Sequence, residues 1–158
     1  MIPNAKIIVV EKGKMKPAQL FKALDDGIRK RLPKYTAASY RSLLIQNILT
    51  NKYQFNLSEA WIDFKRLRGW DLRPFMAEGT YVNSISIFSS DGHLAVGFRK
   101  NAIHPRAKMS IANLARILEY GVLDRNIPSR PLWRFTSKEY FASYKHIIRK
   151  FMQETLGK

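Results

Sequence analysis

The spacing of hydrophobic positions changes along the chain, and each change marks an element. Ile7-Ile8-Val9-Val10 is a β-branched run too short for a helix, so Lys6 to Glu11 reads as a strand broken at Gly13. Pro17 then stands at a first helical position, and Leu20, Phe21, Leu24 and Ile28 recur at helical spacing until Pro33 stops the pattern. Tyr40, Leu43, Leu44, Asn47 and Ile48 define a second helix. Ser58 caps a third, short one, with Leu57 and Ile62 at the spacing of a hydrophobic staple and Trp61 and Phe64 turned inward. Residues 68–79 are punctuated by Gly and Pro and read as a loop.

Beyond Gly79 the period shortens to two. Tyr81, Ile85 and Ile87 point one way and Ser84 and Ser86 the other; Asp91-Gly92 marks a hairpin turn, and Leu94, Val96 and Phe98 return on the partner strand. Residues 101–108, with Pro105 and three bases, form a loop. Ser110 caps a helix carrying Ile111, Leu114, Ala115 and Leu118, which Gly121 closes in a left-handed conformation. Thr136-Ser137-Lys138-Glu139 has the form of a capping box, with Phe135 and Tyr140 as its staple, and opens a long terminal helix. Its apolar stripe is Tyr140, Phe141, Tyr144, Ile147, Ile148, Phe151 and Met152. The expected class is α+β: one domain over residues 1–158, a small antiparallel sheet with a central hairpin packed by several helices.

Composition supports a packed interior, with 46% hydrophobic and 12% aromatic residues in 158. No apolar run is long enough to cross a bilayer, no signal peptide is expected, and with no cysteine there is neither disulfide nor thiolate metal site. Charge changes the picture more. Lys and Arg number 28 against 12 Asp and Glu, a formal net charge of +16 spread over the whole chain. Such a field favours a polyanion or an acidic protein face over a membrane surface.

Candidate chemistry is sparse. No Gly-x-Ser-x-Gly and no phosphate-cradling glycine loop occurs, and His93, His104 and His146 stand apart. The close acid sets, Asp25-Asp26 and Glu59/Asp63, lie among Lys and Arg that screen them, so a metal-dependent nuclease is the weakest reading. No catalytic, cofactor or metal residue is assigned, and the expected protein is not an enzyme. Lys12, Lys14, Lys16, Arg29, Lys30, Arg31 and Lys34 are candidate polyanion contacts, although cations ending a helix are also favoured by its dipole. Trp70 and Trp133 fall in loops, where they suit an interface.

Leu114-Ala115-Arg116-Ile117-Leu118-Glu119-Tyr120-Gly121 followed by Ile127-Pro128-Ser129-Arg130-Pro131-Leu132 carries a family resemblance. With Gly79-Thr80 leading the hairpin, this order resembles the head–tail joining or tail-completion proteins of long-tailed bacteriophages over residues 79–158. The N-terminal half is similar only in helical character, and Leu132-Trp133 stands where that family often has phenylalanine. The resemblance implies a structural virion protein of the tail or neck, made in the host cytoplasm. It implies a ring, hexamer or dodecamer, contacting head-connector and tail-tube proteins, with the basic charge facing either genomic DNA in the channel or an acidic face of a neighbouring ring. The subunit interface it suggests comprises Glu119, Tyr120, Gly121, Ile127, Pro128, Arg130, Pro131 and Trp133. Read physically, Pro128 and Pro131 stiffen the turn. Glu119, unfavourable at a helix C-terminus, is expected to accept hydrogen bonds from Arg130 within the subunit or across the ring. The alternative is a stand-alone basic nucleic-acid-binding protein.

Overall fold

A computed structural model describes Lys22 and residues 25–90, 93–99 and 101–156. The expected strand at Lys6–Glu11 and the start of the first helix lie outside these residues. A π-helical turn, Gly27–Arg31, runs directly into α1, Leu32–Leu49. Pro33 therefore does not end a helix; it sits in the first turn of α1. The wider π turn accommodates a residue that lacks a donor and whose ring would crowd the carbonyl four positions back.

The remaining elements are α2 (Glu59–Leu67), α3 (Thr80–Asn83), β1 (Ser86–Ser90), β2 (His93–Gly97), α4 (Ile111–Tyr120), a 3₁₀ turn (Leu123–Arg125) and α5 (Leu132–Leu156). The architecture is α+β, with five α-helices and one two-stranded antiparallel sheet among the described residues. Its register pairs Ser90 with His93, Phe88 with Ala95 and Ser86 with Gly97. Asp91 and Gly92, the expected turn, lie outside the described residues.

The hairpin is shorter than its alternation implies. Tyr81, Val82 and Ile85 are buried, but they reach the core from the single turn of α3 and the residues just after it. Gly79, at φ 74°, starts this turn, and Ser84 Oγ donates to the Thr80 carbonyl at 2.7 Å. Helical spacing and strand alternation overlap at positions this close, so periodicity alone does not separate them.

α1 and α5 lie antiparallel. Tyr35 meets Phe151 at 5.3 Å, Tyr40 meets Tyr140 edge-on at 5.2 Å, and Asn47 reaches Thr136 at 3.2 Å. One core cluster joins Leu44 and Ile48 of α1 to Tyr81, Val82 and Ile85, to Ile111 and Ala115 of α4, and to Leu132 of α5. Burial of such side chains stabilises by roughly 1.5–3 kcal/mol each.

The expected capping box is not a cap. α5 begins at Leu132, four residues earlier, and Thr136 is fully buried in its second turn. Asn47 Nδ2 donates to Thr136 Oγ1 and, at 3.1 Å, to Glu139 Oε2, which also accepts from Tyr53 at 2.8 Å. Lys52 pairs with the other Glu139 oxygen, and these contacts, the lysine first, hold the Glu139 carboxyl below its ordinary range. The supposed staple is likewise reassigned: Phe135 packs on Tyr53 and Phe55, not on Tyr140. Tyr140 and Phe151 are buried as the stripe predicts, whereas Phe141 is exposed.

Candidate functional site: a capped helix junction beside an aromatic groove

Pro131 sets the start of α5. Proline before a helix gives up no donor the helix needs, and its carbonyl accepts from Phe135 at 3.0 Å. The next free amides belong to Trp133 and Arg134, and both donate to Glu119, each at 3.0 Å to a separate oxygen. Glu119 is 7% exposed. It stands at the C-terminal end of α4, where its charge is disfavoured, and at the N-terminal end of α5, where it is favoured. The second position supplies hydrogen bonds and thus decides its placement. Arg134 Nε, 4.0 Å away, adds a distant cation.

Glu119 therefore does not bond Arg130 within the subunit; both of its oxygens are engaged by backbone amides of α5. Arg130 is held differently: its amide donates to the Leu118 carbonyl at 2.6 Å and its guanidinium to the Asn56 carbonyl at 3.3 Å. Its Nε is buried without a partner.

Between these residues the chain makes a closed loop. Gly121 has φ 75° and ψ 177°, a conformation open to glycine alone rather than the left-handed helical one expected. A Cβ there would lie 2.6 Å from the Ile127 carbonyl oxygen and 2.8 Å from the Ser129 nitrogen. Val122 and Ile127 exchange two backbone bonds, 2.9 and 3.0 Å, and pinch off the 3₁₀ turn at the tip. There Leu123 is 93% exposed, and Tyr120 beside it is 71% exposed.

Ile127, Pro128 and Arg130 form one wall of a groove of about 670 Å³. The opposite wall is α2 and the loop that follows. Trp61 and Phe64 were expected to turn inward; instead Trp61 is 43% exposed and Lys65 is the buried residue of α2. Lys65 Nζ donates to the Asp71 and Arg73 carbonyls at 2.7 Å each, folding residues 71–73 back over the helix, and burial lowers its pKa. Asp71 locks the same loop by bonding the Arg73 guanidinium and its amide, the latter at 2.8 Å. The guanidinium beside it brings the Asp71 carboxyl down to about 2.

The aromatic side chains of the groove stack on one another. Trp61 lies nearly parallel to Phe64 at 5.1 Å, and Phe64 meets Trp70 edge-on at 5.7 Å. Arg106 covers Trp70 at 4.7 Å while pairing with Glu78. Arg68 sits over Phe64 at 5.2 Å. His104 also lines the groove, its Nδ1 accepting from the Ala107 amide at 3.2 Å.

The structure gathers Glu119, Gly121, Ile127, Pro128, Arg130 and Pro131 into this junction. Trp133 is not in a loop: it occupies the first turn of α5, donates from Nε1 to Tyr81 OH at 3.0 Å and packs on Phe98. Burial pushes the Tyr81 hydroxyl well above its ordinary range. Of the candidate polyanion contacts, Arg29 and Lys30 are exposed but already paired with Asp25 and Asp26, at 2.7 and 3.0 Å. Arg31 and Lys34 are exposed, and Lys12, Lys14 and Lys16 lie outside the described residues. Among the described residues no group of three His, Asp or Glu could hold a metal ion, and no helix is long and apolar enough to cross a membrane.

No family model, curated protein or solved structure matches this chain.

Sequence reasoning missed the groove because α2 shows its aromatic face outward. The signal for it was Lys65, one position after Phe64 and so on another face of the helix.

Proposed function

We propose that this protein is a non-enzymatic, ring-forming virion component of a tailed bacteriophage, a tail-completion or neck part that joins the tail to the DNA-filled head. The observation that carries the reading is the stiff 119–133 junction, which presents two large apolar side chains, Tyr120 and Leu123, to solvent. A loop fixed by a glycine-only turn, a two-bond bridge and two prolines loses little freedom on association. Exposed apolar side chains on such a frame suit a contact between subunits. The motif order of residues 79–158 supports the same assignment. The basic charge then serves a DNA channel or an acidic neighbouring ring.

The test is electron microscopy of lysates from a phage carrying an early stop codon in this gene. Filled heads beside unjoined tails, or tails of abnormal length, are expected; normally joined particles overturn the reading. A Leu123→Glu variant, which buries a charge in the proposed contact, should give the same unjoined particles while the purified chain keeps its melting temperature. Tight duplex-DNA binding by the purified monomer at physiological salt would favour the nucleic-acid-binding alternative.

A further inference from the structure

The groove between α2 and the 126–130 segment shares Ile127, Pro128 and Arg130 with the interface the ring reading suggests, but its α2 wall lies outside that interface. We propose that the groove binds a peptide segment of a partner protein in which a large apolar side chain is flanked by Asp or Glu. The proposal does not depend on the assembly role, because a purified single chain carries the whole groove, and peptide binding there is measured without any ring.

Charge selects the occupant. Among the described residues Lys65, Arg106 and Arg130 line the groove against a single acid, Glu78, and Glu78 is already paired with Arg106. Arg130 is the cation with capacity left over. Among the described residues its guanidinium makes one hydrogen bond, 3.3 Å to the Asn56 carbonyl, and its Nε is buried without a partner. Leaving a half-buried guanidinium under-bonded costs free energy that an incoming carboxylate recovers through charge-assisted hydrogen bonds. A second copy of a chain carrying +16 is a poor source of that carboxylate.

Shape separates a peptide from a nucleic acid. Base stacking needs open ring faces, and here few remain. Phe64 is covered by Trp61 and by Arg68, and Trp70 by Arg106. What the lining offers is a largely apolar slot with one half-buried, under-bonded cation rather than a track of exposed ones, which suits an inserted side chain and one carboxylate. Trp61, 43% exposed, is the aromatic side chain of the lining available to anchor the inserted group.

The experiment pans a library of random short peptides on the purified chain, then measures the enriched peptides by fluorescence anisotropy. Enriched sequences should place Trp, Phe or Leu within a few residues of Asp or Glu. Trp61→Ala and Arg130→Met should each weaken them by about tenfold or more. Arg29→Ala removes the same unit of charge outside the groove, and Phe141→Ala removes an exposed ring elsewhere; both should leave affinity within about twofold. Melting curves of each variant show that it is folded, and Arg130→Met carries the test if Trp61→Ala is not. Four results overturn the proposal: no enrichment, enriched peptides without acids, equal losses in Arg29→Ala and Arg130→Met, or displacement of the peptide by a single-stranded oligonucleotide that is itself Trp61-dependent.

Discussion

Glu119 and Arg130 are close in the sequence and of opposite charge, yet the fold gives them opposite fates. Around Glu119 the polar groups are matched: two carboxylate oxygens meet two amides that α5 would otherwise leave open. Around Arg130 they are not, since a buried Nε faces no acceptor and the neighbouring aromatic residues of α2 remain half in solvent. The first region is scaffold, complete within one chain. The second has donors and apolar surface in excess of what the chain itself can satisfy, the signature of a surface kept for another molecule. Charge complementarity in sequence is thus a poor guide to partners, because backbone amides at a helix start compete successfully for a carboxylate.

Several changes break or sharpen this contrast. Gly121→Ala strikes the scaffold hardest, since the new Cβ meets backbone on two sides in a conformation reserved for glycine. A loss of roughly 3–5 kcal/mol is expected in urea unfolding, and a loss below about 1 kcal/mol would mean the loop is not rigid. Glu119→Ala comes next: it uncaps Trp133 and Arg134 and should cost about 2 kcal/mol, read as a fall of roughly 4–8 °C in Tm.

Acid sharpens the groove side. The folded Asp71 carboxyl titrates at about 2, below its ordinary 3.8, so its stabilisation is present above the unfolded value and is lost as pH falls through the folded one. Between about pH 5 and about pH 2 the chain should lose on the order of 1 kcal/mol from this group, given its partly solvated position, and Asp71→Asn should flatten that part of the curve. Glu139, also lowered, adds a separate contribution in the same direction. Arg130→Met has the smallest expected effect on stability. Replacing a half-buried guanidinium whose Nε is unpartnered with an apolar chain of similar length should leave Tm unchanged or raise it by the equivalent of about 1 kcal/mol. A clear loss would place Arg130 with the scaffold and dissolve the contrast.

Much of the C-terminal half was legible from its residues. Ser110 accepts from the Asn113 amide at 3.2 Å as its position before an apolar run predicts, and the helix it caps does end at Gly121. The Ser86–Gly97 hairpin lies where β-branched alternation and Asp-Gly place it. Legibility failed where one local pattern supports two structures. Thr136-Ser137-Lys138-Glu139 has the composition of a cap, but a proline five residues upstream of Thr136 and a distant carboxylate start the helix sooner. Trp61 and Phe64 are as apolar as core residues, and only the choice of which face of α2 lies down, fixed by Lys65 reaching two carbonyls, turns them outward.

The sequence by itself determined the class of fold, the approximate positions of the Ile111–Tyr120 helix, the terminal helix and the hairpin, and the glycine and prolines that constrain the 119–133 segment. Each depends on residues within one or two turns of each other, through propensity, capping and the fixed angles of glycine and proline. Tertiary structure alone decided that Glu119 starts α5, that Lys65 is buried under residues 71–73, and that Arg130 borders an aromatic groove with a donor to spare. Those outcomes depend on which distant groups arrive beside a charge, and spacing along a chain does not encode that.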